Sequence, residues 1–259
     1  MPPVTVRDMD TRDERFVGTC SHVNESAEMD TCCERRIHWF QRNYHRGLRV
    51  KVAEVERNLC GFIYVMPIEI SPWGPLGSDL MVIPCLYVLP DQQHYGAGKA
   101  LIDAAVDEAR TQGRKGVCVI AYHHDSWFMP APFFESCGFK EARRQNSTAI
   151  LWKLFDSEVD IPELLHRKFT FEAQNGKVVV DLFFNSFCAT SDIEAQRVRE
   201  VASEFGDRVV LKEHSADERE ALLCHQTPRG IFVNGQEIFW GFEAPREGIR
   251  DAIRKAMGE

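Results

Sequence analysis

The spacing of apolar and polar residues changes several times along the chain, and each change predicts an element. Leu48 to Val55 and Gly61 to Ile70 are apolar blocks separated by Arg57-Asn58, which predicts two strands joined by a turn. Pro67, Pro72, Trp73, Gly74, Pro75 and Gly77 then break the pattern into a loop. Val82 to Leu89 is a further strand. Ala100 to Thr111 carries Leu101, Ile102, Ala105, Val106 and Ala109 at helical spacing, with Gly113 as its stop. Gly116 to Tyr122 and Thr148 to Phe155 are strands, and a short helix from Ala131 to Cys137 ends at Gly138. The more polar segment Thr19 to Arg46 is expected to be helical.

From Asp156 to Arg167 the pattern fades into charges with one proline, and the domain boundary is placed there. The division expected is residues 1–155, a linker over 156–176, and a smaller domain over 177–259. The smaller domain reads as strand Val178–Asn185, helix Asp192–Phe205, strand Val209–Lys212, helix Ala216–Cys224 and strand Gly230–Val233. Strand Glu237–Trp240 and helix Pro245–Met257 follow. Asn234-Gly235 between two apolar runs is a strong hairpin signal. The fold class is therefore α/β (α+β), a larger domain followed by a smaller one.

The chain has 259 residues and a net charge of −8, which argues against nucleic acid as a main partner. No apolar run approaches the length of a membrane span, and the first residues lack a signal-peptide core. A cytoplasmic protein is expected, with no membrane partner. Nine cysteines without a CxxC pair do not make a disulfide framework. Cys60, Cys118 and Cys137 lie in or beside apolar runs, as small buried hydrophobes do.

The chemistry concentrates at Gln93-His94-Tyr95-Gly96-Ala97-Gly98, between a strand and a helix. Glycine permits a tight turn and close approach of the backbone to a ligand. A helix start presents unpaired N–H groups and the positive end of the macrodipole, so the whole forms a cradle for phosphate. A dinucleotide site needs a third glycine at position 101, where Leu101 stands. A Walker loop also fails, because Gly98-Lys99 is followed by Ala100.

With Gln93 to Gly98 and, further on, Phe133-Phe134-Glu135-Ser136-Cys137-Gly138-Phe139, residues 1–155 resemble the GNAT superfamily of N-acetyltransferases. That family carries Gln/Arg-x-x-Gly-x-Gly/Ala between strand and helix, and a helix running into Gly-Phe. The resemblance implies acetyl-CoA as donor and an amine, on a small molecule or a protein, as acceptor. It implies that His94, Tyr95, Gly96, Ala97, Gly98 and Lys99 hold the diphosphate. Leu86, Tyr87 and Val88 would pair with the pantetheine arm, and Leu86 or Val88 would offer an N–H to the thioester oxygen. Phe134 stands where many members carry the tyrosine that protonates the leaving thiolate, so it keeps the cofactor-side position but has no proton to give. The acid is then missing, or supplied by another group such as Tyr122, His123 or Cys137. Glu69, ahead of the proline-rich loop, is the candidate base. His123 and His124 point to opposite faces of a strand end, so only one of them can act.

His22, Cys32, Cys33 and Cys85 fall where this family walls its acceptor pocket. Histidine and thiolate together suit a soft metal, but the spacing follows no zinc pattern, and adjacent cysteines on a helix diverge by about 100°. A thiol-bearing or thiophilic ligand and an ordinary set of buried and polar side chains both fit these residues. No metal is assigned.

The second half resembles the thioredoxin fold, and the combination resembles a YoaP-like domain fused behind an acetyltransferase domain. Cys188 in Phe187-Cys188-Ala189-Thr190-Ser191 sits between the first strand and first helix, and Thr227-Pro228 precedes the third strand as the family's cis-proline does. A thiol at a helix N-terminus favours thiolate. Ser191 occupies the place of a resolving cysteine, as in monothiol glutaredoxins. A redox role through Cys188 and a scaffold role are both open, and the alternative to the acetyltransferase is a thiol-dependent protein with a catalytically weak first domain.

Overall fold

The computed structural model describes residues 3–124, 128–155 and 158–259. The chain forms two compact units, Met1–Val23 with Phe40–Leu165, and Asn24–Trp39 with His166–Glu259. The second unit thus takes in a stretch from the N-terminal half, which no change in composition announces.

In chain order the first half contains β1 (Val4–Asp8), α1 (Glu14–Gly18), α2 (Ala27–Tyr44), β2 (Arg49–Val55), β3 (Asn58–Pro67), β4 (Leu80–Ile83) and β5 (Leu86–Val88). Then follow α3 (Ala97–Thr111), β6 (Gly116–Tyr122), α4 (Ala131–Ser136), β7 (Lys140–Gln145) and β8 (Thr148–Leu154). Eight strands make one sheet in the order β1-β2-β3-β4-β6-β8-β7, with β5 paired to β3. Only β4 and β6 run parallel, from Leu80↔Gly116 to Ile83↔Val119. The sheet is therefore mixed, as the α/β reading requires.

The apolar stripe of α3 lies where its spacing puts it. Leu101, Ile102, Ala105, Val106 and Ala109 are buried against Ile63, Val65, Met81, Ile83, Val117 and Val119 of the strands. Another aromatic group in this unit joins Phe16, Phe40, Phe62, Tyr64 and Tyr87, with ring centroids 5.2–5.8 Å apart.

The expected strand Val82–Leu89 is in fact two. Pro84 lacks a ladder N–H, and the chain changes partner there, from β6 on one side to β3 alone for residues 86–88. Helix α2 is shorter than the polar segment suggested. β1 and β7 escape the pattern, and β7 does so because Lys140–Gln145 is almost wholly exposed and offers no apolar alternation.

The second unit contains β9 (Val178–Phe184), α5 (Ala189–Ser203), β10 (Val209–Ser215), α6 (Arg219–His225), β11 (Gly230–Val233), β12 (Gln236–Ile238) and α7 (Arg246–Met257). Its sheet runs β10-β9-β11-β12, with β9 and β10 parallel and the other pairs antiparallel. Val178, Val180 and Leu182 bury one face against Ala195, Val198 and Val201 of α5 and Ile249 and Ile253 of α7. On the other strand parity Phe183 stacks on His214 at 4.5 Å, and the buried Asp181 meets His214 Nε2 at 3.0 Å. Asn234 and Gly235 both adopt positive φ, 47° and 78°, the backbone of a type I′ hairpin turn. Residues of α2 pack within this unit: Arg35 pairs with Asp192, Glu28 accepts from Arg197, and Trp39 meets Phe187 edge-on at 5.8 Å.

Candidate active site

The glycine loop is built by three backbone devices. Leu89 donates to Cys60 O at 2.8 Å, which ties the end of β5 back to β3. A 3-10 turn over Pro90–Gln92 then reverses the chain, and His94 and Gly96 take positive φ of 67° and 90°. No atom lies within 4 Å of where a Gly96 Cβ would stand, so that glycine answers to its φ. Gly98 answers to crowding instead, because its Cβ would meet the Phe133 ring at 3.0 Å.

The result is a bare helix start. No main-chain N–H from Gln93 to Lys99 reaches a protein acceptor in hydrogen-bond geometry among the described residues, and the first intrahelical bond is Ala100 N–H to Gly96 O at 3.0 Å. The first turn of α3 carries no acidic residue. Unpaired donors and an uncompensated positive dipole end fit a diphosphate. Lys99 is exposed and holds Asp103 at 2.8 Å, an ion pair that raises its pKa. His94 and Tyr95 are exposed.

A second set of open donors lies on β5. Tyr64 donates to Cys85 O and Leu89 to Cys60 O, so Tyr87 faces β3 and the main-chain groups of Leu86 and Val88 face away from it. On that side β6 has already departed, since its pairing with β4 ends at Ile83↔Val119. The two strands form a wedge open toward the glycine loop. Gln93 Nε2 donates to Val88 O at 3.3 Å, which joins the wedge to the loop. These residues fit an acyl-CoA laid with its diphosphate at α3 and its arm along β5.

The other expected residues divide. Tyr122 borders a small cavity at the closed end of the wedge, and its N–H is held by Met129 O at 3.0 Å. His123 Nε2 is enclosed, 3.7 Å from Glu141 Oε2, with no hydrogen-bond partner among the described residues. Cys137 caps α4, and burial pushes its thiol pKa up, with Ser136 and Lys99 acting the other way. Phe134 is fully buried, edge-on to Phe133 and Phe139, and belongs to the core. Glu69 accepts from Asp79 N–H at 3.0 Å and pairs with Arg114 at 3.0 Å. His124 is exposed.

The four residues expected around an acceptor fall in different units. His22 and Cys85 belong to the first, Cys32 and Cys33 to the second. Cys32 is fully buried, its Sγ 3.7 Å from Ala189 O, and burial drives its thiol pKa far up. Among the described residues no group of three or more His, Cys, Asp or Glu side chains is arranged to hold a metal ion.

In the second unit Cys188 is the N-cap residue of α5. Its N–H donates to Asn185 Oδ1 at 2.9 Å, and Asn185 in turn donates its N–H to Ser191 Oγ at 3.0 Å and its amide to Pro228 O at 2.9 Å. Ser191 thus braces the turn that carries the cysteine. The Thr227–Pro228 bond is trans, unlike the family's proline, since the one cis peptide among the described residues is Gly74–Pro75.

Residues 46–141 match the family model described as acetyltransferase (GNAT) domain. That stretch lies within the first unit and holds both the glycine loop and Gly138-Phe139. No curated protein matches the chain. Among solved structures, a GNAT family acetyltransferase from Brucella melitensis in complex with acetyl-CoA is 17% identical and covers 63% of this chain and 95% of its own, at a TM-score of 0.42. The PaiA N-acetyltransferase from Thermoplasma acidophilum in complex with coenzyme A is 16% identical and covers 59% and 99%, also at 0.42. A ribosomal-protein-alanine N-acetyltransferase from Brucella melitensis is 16% identical and covers 58% and 99%, at 0.43. Among the described residues, no helix is long and apolar enough to cross a membrane.

Proposed function

We propose that the protein moves an acetyl group from acetyl-CoA to an amine, on a small molecule or a protein, by direct attack within a ternary complex. The observation that carries this reading is the open N-terminus of α3 inside the stretch matched by the GNAT model. Amides of residues 94–99 hold the diphosphate, and the positive end of a helix fifteen residues long favours it. Leu86 and Val88 pair with the pantetheine arm through their free main-chain edge. The N–H of Leu86 or Val88 meets the thioester oxygen as it gains charge on attack; one such donor is worth about 100-fold or more in rate.

The amine attacks only when neutral. Glu69 is already committed to Arg114, which makes water a better route for the amine's proton than that carboxylate. For the leaving thiolate we place the proton on Tyr122, because that residue borders the closed end of the wedge. His123 and Cys137 are the other donors to be tested, and Phe134 has none to give.

The second unit is read as a thioredoxin-like, YoaP-like domain, supported by its strand order with the first strand central and parallel to the second. Its role is to select or present the acceptor. No disulfide joins the described cysteines, which suits a cytoplasmic setting.

Calorimetry with coenzyme A and acetyl-CoA tests the donor site. Saturable binding is expected, followed by thiol release when acetyl-CoA is mixed with a panel of amines. A chain that binds neither CoA species is not this enzyme.

A further inference from the structure

β12 is an open edge of the second unit's sheet, last in the order β10-β9-β11-β12. Val233 and Gln236 flank the two-residue turn and form its hydrogen-bonded pair. Glu237, one residue on, therefore turns its main-chain N–H and C=O away from β11. The Glu237 side chain is already engaged, since Arg167 holds the carboxylate at 2.8 and 2.9 Å.

Beside that edge lies a groove of about 640 Å³ between β12 and α7. Ile238, Phe239 and Trp240 line one wall, and Ala252 and Ala256 the other. Phe239 is 73% exposed and, just beyond it, Phe242 is 79% exposed. The loop that carries these aromatics is fastened from beneath. Arg229 donates to Phe242 O and pairs with the buried Glu194 at 2.8 Å; Glu194 accepts from Ala244 N–H at 3.0 Å, and Arg197 donates to Ala244 O at 3.2 Å. Trp240 lies against Gly248, where a Cβ would meet the indole at 2.5 Å. Held at these points, the loop keeps its aromatic rings in water. The three rings leave roughly 300–500 Å² open, at about 150–250 Å² for a whole aromatic side chain. A patch of that size marks a contact surface. Between two copies it is half or more of the about 1,200 Å² that the smaller stable interfaces bury, before the strand edge is counted.

The charges on α7 select the occupant. Asp251 and Lys255 also line the groove, one helical turn apart on the same face. Asp251 is 4.0 Å from Arg254, and the Lys255 ammonium has no acidic partner among the described residues. Against a second α7 running the opposite way, Asp251 of each copy meets Lys255 of the other, so one twofold axis pairs all four charges. The same axis, normal to the sheet, lays the two β12 edges antiparallel. Glu237 of each copy then faces its counterpart as a hydrogen-bonded pair, and its own Arg167 offsets the repulsion of the two carboxylates. We infer that this face binds a second copy of the chain, in a twofold dimer whose β12 edges join the two four-stranded sheets and whose α7 helices lie antiparallel at the groove.

Sedimentation velocity on the full chain, over a concentration series reaching about 100 μM, tests the dimer. The native chain should dimerise within that range. Asp251→Lys and Lys255→Asp each set like charges face to face twice, and each alone should raise the dimer dissociation constant at least about tenfold. An equimolar mixture of the two variants should dimerise again, because the heterodimer restores both opposite-charge pairs; a structural role of either side chain within its own copy gives no such rescue. Phe239→Ser removes an exposed aromatic anchor and should weaken the dimer to a similar extent. It provides the same reading if a helix variant fails to fold by circular dichroism. A native chain that stays monomeric throughout the series overturns the dimer and leaves the face to a different partner. Dimers that persist undiminished in Asp251→Lys and Phe239→Ser place the interface elsewhere and overturn it as well. A mixture that stays monomeric although both variants fold overturns the antiparallel pairing of α7.

Discussion

Two helices of fifteen residues, α3 and α5, each follow a strand, and their N-termini are finished in opposite ways. At α5 the chain supplies its own anions and acceptors. Asp192 is buried in the first turn and paired with Arg35, Asp217 takes the Ser186 N–H at 3.0 Å, and Asn185 takes the Cys188 N–H. At α3 the first turn has no acid, and the loop amides before it are unclaimed. A dipole end that the protein has already answered holds the fold together. One left unanswered is available to a ligand that brings negative charge. The contrast explains why the glycine loop reads as a binding site, whereas the Cys188 turn reads first as a braced structural corner.

Breaking α3's side of the contrast should have the largest effect. Gly98→Val places a branched side chain against Phe133 and across the loop amides, and CoA affinity should fall about 100-fold, or ~2.7 kcal/mol. Calorimetry checks this, with circular dichroism to establish that the helix survives. Undiminished affinity would mean that the diphosphate lies elsewhere.

The matching change at α5 is Asp192→Ala, which leaves Arg35 without its buried partner and the helix without its first-turn acid. Denaturant unfolding should show a loss of about 2 kcal/mol, with the CoA constant unmoved. A shift in CoA binding as large as that of the glycine variant would erase the distinction between the two termini.

A smaller effect concerns pH in the second unit. Burial, then His214, holds His225 below the usual imidazole range, with Asp181 acting the other way. The folded chain therefore binds fewer protons there than the unfolded chain, whose imidazole titrates near ~6.5. The contribution is complete above that value and is lost as pH falls below it. Urea midpoints compared at about pH 8 and about pH 5.5 should differ less in His225→Asn than in the native chain. An identical difference in both assigns the pH dependence to other groups.

The smallest expected change is at Lys99. Its ammonium is exposed and shared with Asp103, so Lys99→Ala should weaken CoA by only about threefold, and less at high salt. A far larger loss would move weight from the amides to the side chain.

Much of the first unit, and one turn of the second, was legible because these elements carry period or a local turn signal. The α3 stripe, the strands β2, β6 and β8, and the Asn234-Gly235 turn obey spacing rules that need no distant partner. The glycine loop was legible for a related reason: glycine, helix start and preceding strand are local neighbours, and local geometry makes the cradle. Other features gave no such sign. β7 is polar along its length and is a strand only because β8 pairs with it. Phe134 matched a motif position, yet packing against Phe133 and Phe139 decides where its ring lies.

The sequence by itself determined the periodic elements and the glycine turn that opens α3, because each depends on residues within one turn or strand of another. Tertiary structure alone decided that Asn24–Trp39 belongs with residues 166–259, that the strand breaks at Pro84 into a wedge, and that Cys32 meets Ala189. Those outcomes turn on contacts between segments far apart in the chain, where burial and pairing energies are gained only after folding, and no local pattern records them.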